Sequence, residues 1–516
     1  MKGRNRSIGF ALAFALVAAC SREEASVPQE PAAVSPEIAS LVPADAFGFV
    51  RLASMNALEK KWREVEQATA SKESALYGLL AKIEEGSQPV GRVHRAKPLG
   101  IALSFDDADD LVLTYVVAGT DGAYAAVRDG ARLAPPSSPS PLAAKALDAD
   151  VALRVDVKAI VERFREKIDA ALSGEMLEGL PFPLGGPDPG ETLGPALEVV
   201  RSLLDAAETV DLALLFDGTR VDFVASLTAK AGSAPDGARP PARSPLEIAR
   251  LLPGGFPIEA AVSVDPTPLA RWMSTFQGIG LASLPEETRE AMRASMDDMI
   301  DLQGLLAGEA AMAMRFGGDD FALSMLQRAR DAGTYVERFW DLQTKGNPLM
   351  TVEVLPETEV AGVRVRSFRT EMDLDALVGI QDLPPVFDDF PFFKGQRWSQ
   401  AAVDDVVVQQ MGGDEALVER MIRQVQMGRG TAPAGLARAA EKAGPGASVL
   451  ARVDLRAAMS GIASMMGPMG QMMTQGMAEG GPVDLLSWFG AEGRVYRGGL
   501  SLDLAEIRAL RATAGR

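Results

Sequence analysis

Alternating apolar and polar residues mark a series of short, half-buried strands along the chain. Each runs into a polar junction and then an amphipathic helix. The pattern places a strand at 47–53 ahead of a helix at 56–66, at 151–156 ahead of 157–171, at 260–265 ahead of 266–276, and at 449–454 ahead of 455–466. Asp156, Asp265 and Asp454 close their strands, where a carboxylate accepts from the first free amides of the helix. Asn56 is expected to fill that place in the first copy, and Pro266 suits a first helical turn. Hairpin signatures follow at 101–117 around residues 106–110, at 212–228 around Asp217-Gly218, and at 310–326 around residues 317–320. Two more lie at 398–410 around Asp404-Asp405 and at 493–504 around Arg497-Gly498-Gly499.

The repeats come at intervals of roughly one hundred residues. They predict an α+β fold with antiparallel sheets covered by helices, built from duplicated strand–helix–hairpin modules. The expected modules are 39–142, 143–235, 246–430 and 436–516. The third has room for two copies, the second around 363–377, where Met372-Asp373-Leu374 echoes the junction. Pro/Gly/Ser-rich breaks at 134–141, 232–245 and 428–435 separate them. Residues 20–38, rich in Ser, Glu, Ala and Pro, cannot bury enough apolar surface to fold and read as a tether.

Charge narrows the partners. The formal net charge is −18, and it grows more negative if Lys2, Arg4 and Arg6 leave with a leader. An acidic chain repels nucleic acid and anionic headgroups, so no nucleic-acid partner is expected. Cys20 is the one cysteine, so no disulfide forms within the chain.

Lys2, Arg4 and Arg6 precede an apolar run at 8–19, too short for a helix that must span ~30 Å of hydrocarbon. The run ends Leu16-Val17-Ala18-Ala19-Cys20, which resembles the lipobox of bacterial lipoprotein precursors. The resemblance implies a signal peptide at 1–19, cleavage between Ala19 and Cys20, and acylation of Cys20. Several acyl chains then anchor the chain stably to a membrane. Ser21 after the cysteine implies the outer membrane under the enteric sorting rule, with the body on its periplasmic or surface face. The body resembles uncharacterised extracytoplasmic families that open with an apolar strand after a Pro-x-Asp turn, here Pro43-Ala44-Asp45. That resemblance implies no activity.

Catalytic signatures are missing from the sequence. His94, the sole histidine, stands between arginines in a segment expected to be exposed. Alone it excludes His-x-x-x-His zinc sites. No Gly-x-Ser-x-Gly elbow or phosphate-binding Gly-rich loop occurs. Residues 278–283 lack the third glycine of a dinucleotide loop. The acidic clusters Asp106/Asp107/Asp109/Asp110 and Asp297/Asp298/Asp301 offer hard oxygen ligands for Ca²⁺, but without EF-hand spacing they read as a solvated turn and a solvated helix face. No cofactor or metal is expected.

The most unusual stretch holds Met459, Met465, Met466, Met469, Met472, Met473 and Met477. Three readings stay open: core packing, an adaptable groove for a ligand or partner, and a soft Cu(I) site. The leading expectation is a non-catalytic, lipid-anchored envelope protein that binds a macromolecular partner or stabilises an envelope assembly. The alternative is a carrier of a lipid or other apolar ligand in a cavity under Met465, Met466, Met469, Met472 and Met473. A carboxylate-based hydrolase is a third.

Overall fold

The computed structural model describes residues 36–69, 75–144, 147–172, 200–233, 243–264, 290, 297–316, 321–344, 350–372, 395–465 and 480–514. The fold is α+β. One three-stranded unit recurs five times: a first strand, a connection, then a hairpin. Unit I is β1 (Gly48–Leu52), β2 (Leu99–Phe105) and β3 (Leu111–Ala118). Unit II is β6 (Val151–Asp156), β7 (Ala207–Asp217) and β8 (Arg220–Ala229). Unit III is β9 (Ile258–Ser263), β10 (Leu306–Arg315) and β11 (Ala322–Ala329). Unit IV is β14 (Val363–Met372), β15 (Gln396–Val403) and β16 (Val406–Gly412), and unit V is β17 (Ala447–Asp454), β18 (Asp484–Glu492) and β19 (Val495–Asp503). Short strands β4 (Tyr124–Arg128) and β5 (Ala131–Arg132) follow unit I, and β12 (Met350–Val354) and β13 (Thr358–Val360) precede unit IV.

The pairings join all five units into a single antiparallel sheet, ordered I, II, V, III, IV across its width. Units meet alternately through first strands and third strands. β1 pairs with β6 and β9 with β17, whereas β8 pairs with β19 and β11 with β16. β4 covers Tyr115–Ala118 at one end, and β12 and β13 cover β14 at the other.

Strand alternation sends successive side chains to opposite faces. On one face lie α1 (Pro36–Ala39) and α4 (Pro141–Ala144), which meet Phe49 and Ala102. Beside them α6 (Leu246–Ala249), α8 (Glu415–Met427) and α9 (Ala434–Ala443) cover the largest core. A row of directly opposed residues runs across that core: Trp488, Leu450, Ala261, Ala311, Leu326, Val408 and Ala401. On the other face, α2 (Met55–Thr69) and α3 (Ala75–Gly86) pack on Leu52, Leu99 and Ile101. α5 (Val157–Leu172) covers Val155 and Val210, and α7 (Ala332–Thr344) covers Phe368, Trp398 and Val407.

The next row of the first face is polar and satisfied internally. Ser324 donates to Gln410 at 2.6 Å, and Ser367 and Ser399 hydroxyls lie 2.9 Å apart. Buried hydroxyls and amides survive in a sheet when they find each other this way.

The junction chemistry holds where it is described. Asp156 accepts from the Ala159 amide at 2.9 Å and caps α5. In unit I the cap is Ser54, not Asn56: the Ser54 hydroxyl accepts from the Ala57 amide at 3.2 Å. Asn56 is already inside α2, and its carbonyl oxygen takes a hydrogen bond from Arg95. Asp265 and the helix at 266–276 lie outside the described residues, as do Asp373, Leu374 and the turn at 317–320.

The last hairpin differs from expectation. Its turn falls at Gly493 (φ 61°) and Arg494, and Arg497-Gly498-Gly499 sits mid-strand in β19. Gly499 stands directly opposite Trp488, which is 1% exposed. A missing side chain there leaves room for the indole. His94 also departs from expectation: it is half-buried, and its amide donates to the Ala118 carbonyl.

Candidate functional site

Among the described residues, an open cavity of about 420 Å³ lies where unit III meets unit V. It forms at the end of β10, at the junction from β17 into α10 (Leu455–Met465), and along residues 480–482.

Asp454 anchors the junction. Its carboxylate accepts from the amides of Arg456, Ala457 and Val483 at 3.1, 3.2 and 3.3 Å. The Asp454 amide donates to Pro257, and the Leu455 amide to Val483, so the start of α10, β9 and residue 483 are stitched together. Behind the junction, Arg452 donates to Asp484 at 2.7 Å and to the Phe256 carbonyl at 2.8 Å, and lies 3.7 Å from both Glu259 and Asp454. Arg438 of α9 also pairs with Asp484. Burial raises the Glu259 carboxyl, against the opposing pull of Arg452. Burial likewise raises Glu506, which accepts from the Asp484 amide.

Two guanidinium groups line the cavity. Arg456 is 4% exposed and lies flat against Gly480, where a Cβ would fall 2.6 Å from its Nη1. Gly480 has φ 122°, a backbone state that only glycine adopts without strain. Arg315, at the end of β10, stacks its guanidinium 5.5 Å from the Phe256 ring centroid. α10 presents Ala457, Ser460, Gly461 and Ser464 to the cavity, the i, i+3, i+4, i+7 spacing of one helix face. Gly461 lets that helix press on the Phe316 carbonyl, 2.4 Å from where a Cβ would be. The opposite side of α10 shows Met459 and Ile462 to solvent.

Chemically the described lining is rich in donors, and its one carboxylate among the described residues, Asp454, is already held by three amides and lies near Arg452. Ser460 and Ser464 have no histidine beside them, since His94 is at the rim of unit I. No group of three His, Cys, Asp or Glu side chains is placed to hold a metal among the described residues. No described helix is long and apolar enough to cross a membrane.

Of the residues singled out from sequence, Ala19, Cys20, Met466, Met469, Met472 and Met473 lie outside the described residues. Met465 ends α10, and its side chain also lies outside them. Ser464 and Gly480, on either side of 466–479, both line the cavity. The acidic turn at 106–110 is structural. Asp106 accepts from the amides of Ala108 and Asp110, and Asp109 takes a left-handed φ of 62°. Hydrogen bonds from Lys167 and then Arg163 hold the Asp109 carboxyl below its usual range. Asp297, Asp298 and Asp301 are exposed. Sequence reasoning missed Arg315 and Arg456. One signal was available: Arg456 is a cation in the first turn of a helix, where the dipole favours anions.

No family model matches the chain, and no curated protein matches it. One solved structure, described as crystal form III of TP0453, aligns with 52% of this chain and 98% of its own at 8% identity, with a TM-score of 0.24. A superposition that loose bears on neither fold nor function.

Proposed function

We propose that the mature chain is a lipid-anchored, non-catalytic protein of the cell envelope, and that its folded body works by binding a macromolecular partner or bracing an envelope assembly. The observation that carries the reading is Leu16–Cys20, a lipobox-like segment holding the chain's sole cysteine. Intact-mass measurement of protein extracted from membranes tests it. Acyl groups on Cys20 with residues 1–19 removed support the anchor, and Cys20→Ser should release the body into the soluble fraction. An unacylated terminus, or a retained leader, removes it. In-cell crosslinking tests the second half: a stoichiometric partner is expected with the native chain, and failure to recover one removes the partner.

A second reading, a carrier protein, draws support from the cavity beside α10. Its volume falls in the range of about 300–1,000 Å³ typical of small-molecule sites. Native mass spectrometry separates the two readings, because a carrier retains a stoichiometric ligand and a scaffold does not.

A further inference from the structure

We propose that one corner of unit I rests on the surface of a zwitterionic bilayer, through Leu111, Leu113, Phe105 and Phe47. The inference rests on the anchored reading and adds which part of the body faces the membrane. Alternation along β3 puts Leu111, Leu113 and Tyr115 on the face that α3 covers. The helix reaches only as far as Tyr115: Gly86, its last residue, presses on that ring, where a Cβ would clash. Leu111 and Leu113 run on past the helix end and stay 46% and 36% exposed. β4 stops short of them as well, since its pairing with β3 ends at Tyr115. The two leucines are part of a larger patch. Leu111 stands opposite Phe105, and Leu113 opposite Leu103. Phe105 stacks on Phe47 at 4.2 Å between ring centroids and meets Phe164 of α5 edge-on at 4.7 Å. Leu103, Phe105, Phe47 and Phe164 are all half-buried, so leucine and phenylalanine form one apolar surface from β3 to α5. A contiguous patch of this kind marks a contact with a partner or a membrane.

The place of the patch in the chain selects the membrane. Phe47 is the residue through which the chain enters β1: its amide donates to the Leu103 carbonyl, and its carbonyl accepts from the Asp156 amide. Sixteen residues separate Cys20 from Pro36, and even fully extended they span at most ~55 Å. An acylated Cys20 therefore holds unit I, an end unit of the sheet, close to the bilayer. Tethering makes docking an intramolecular event, so a small apolar patch suffices. Charge then selects the lipid. Asp109 is paired with Arg163 and Lys167, but Asp106, Asp107 and Asp110 are exposed at the rim of the patch, in a chain of net charge −18. That field opposes anionic headgroups and leaves zwitterionic ones.

The test uses the acylated chain reconstituted into vesicles of phosphatidylethanolamine and phosphatidylcholine. An environment-sensitive dye is placed on Leu113→Cys or, as a remote control, on Glu359→Cys in β13, an exposed position in the strands flanking unit IV. Acylation leaves Cys20 no free thiol, so only the introduced cysteine takes the dye. The dye at 113 is expected to shift to the blue and lose most of its emission to brominated lipid, as an apolar face set into the headgroup boundary does, while the dye at 359 does neither. Leu111→Asp should abolish the quenching at 113 with native melting retained; if that variant melts early, Leu111→Gln decides. Adding phosphatidylglycerol should weaken the quenching. A dye at 113 left unquenched while the chain stays on the vesicles overturns the docking and leaves the anchor intact. Quenching that survives both Leu111 variants, or that strengthens with phosphatidylglycerol, overturns it too. Crosslinks between Leu113→Cys copies in place of quenching would assign the patch to a second copy of the chain. A chain whose Cys20 takes up dye is unacylated, and that result removes the anchor and the docking together.

Discussion

Asp211 offers a sharp test of how the sheet tolerates charge. It lies on β7, directly opposite Arg154 of β6, with both Arg154 contacts at 3.1 Å and only 4% of its surface exposed. Despite that partner, its carboxyl is pushed up to about 6, because loss of solvation outweighs the attraction of Arg154 and the Ser226 hydrogen bond. The folded chain therefore holds the proton more tightly than the unfolded chain does. The stabilisation from protonation is complete below the unfolded value of 3.8 and is lost as pH rises through about 6. The whole shift is equivalent to about 3 kcal/mol, of which about 2 kcal/mol falls between about pH 4.5 and about pH 7.5. Other groups titrate in the same window, so the measurement is a difference. Urea unfolding of the native chain and of Asp211→Asn, run across that range, isolates this one carboxyl. The native chain should lose about 2 kcal/mol relative to the variant on going up in pH. A flat difference would refute the argument, and a slope of opposite sign would show that Arg154 wins over desolvation.

Three further outcomes are expected. Lys442 of α9 donates to Asp222 of β8 at 2.8 and 2.9 Å, and Asp222 is 2% exposed. Lys442→Met should cost about 3–5 kcal/mol by leaving that carboxylate unpaired, and adding Asp222→Leu should restore most of it; chemical denaturation that shows no recovery would count against the pair. Asp156→Ala should cost about 1 kcal/mol as a lost cap. Asp454→Ala should cost clearly more in the same assay, because three amides lose their acceptor and Arg452 loses a carboxylate 3.7 Å away.

Local chemistry was legible from sequence, and non-local pairing was not. Asp217-Gly218 announces a hairpin because a positive φ is needed there, and Gly218 has φ 58°. Asp404 does the same at φ 53°. Gly498-Gly499 misled because glycine also serves a strand whose neighbour is large, and nothing in residues 493–504 reveals Trp488 across the ladder. Asp156 was readable as a cap from its place at a strand end, whereas the choice of Ser54 over Asn56 turned on where α2 begins. The alternation of first-strand and third-strand joins depends on contacts such as Asp503 against Arg220, far apart in sequence. The same distance hid the cavity: Arg315 and Arg456 read as ordinary surface cations until β9, β10 and β17 lie side by side.

Unit V is the last of the five along the chain and the middle one of the sheet. Until residues 447–503 are in place, β8 and β9 are two bare edges with no bridge between them. The backbone groups on those edges fit β19 and β17 of any copy that already has them. A stalled or clipped chain is therefore a strand thief, able to poison finished molecules by exchange. A holdase that shields those edges until the last unit docks would raise the yield of native protein more than one acting on the early units.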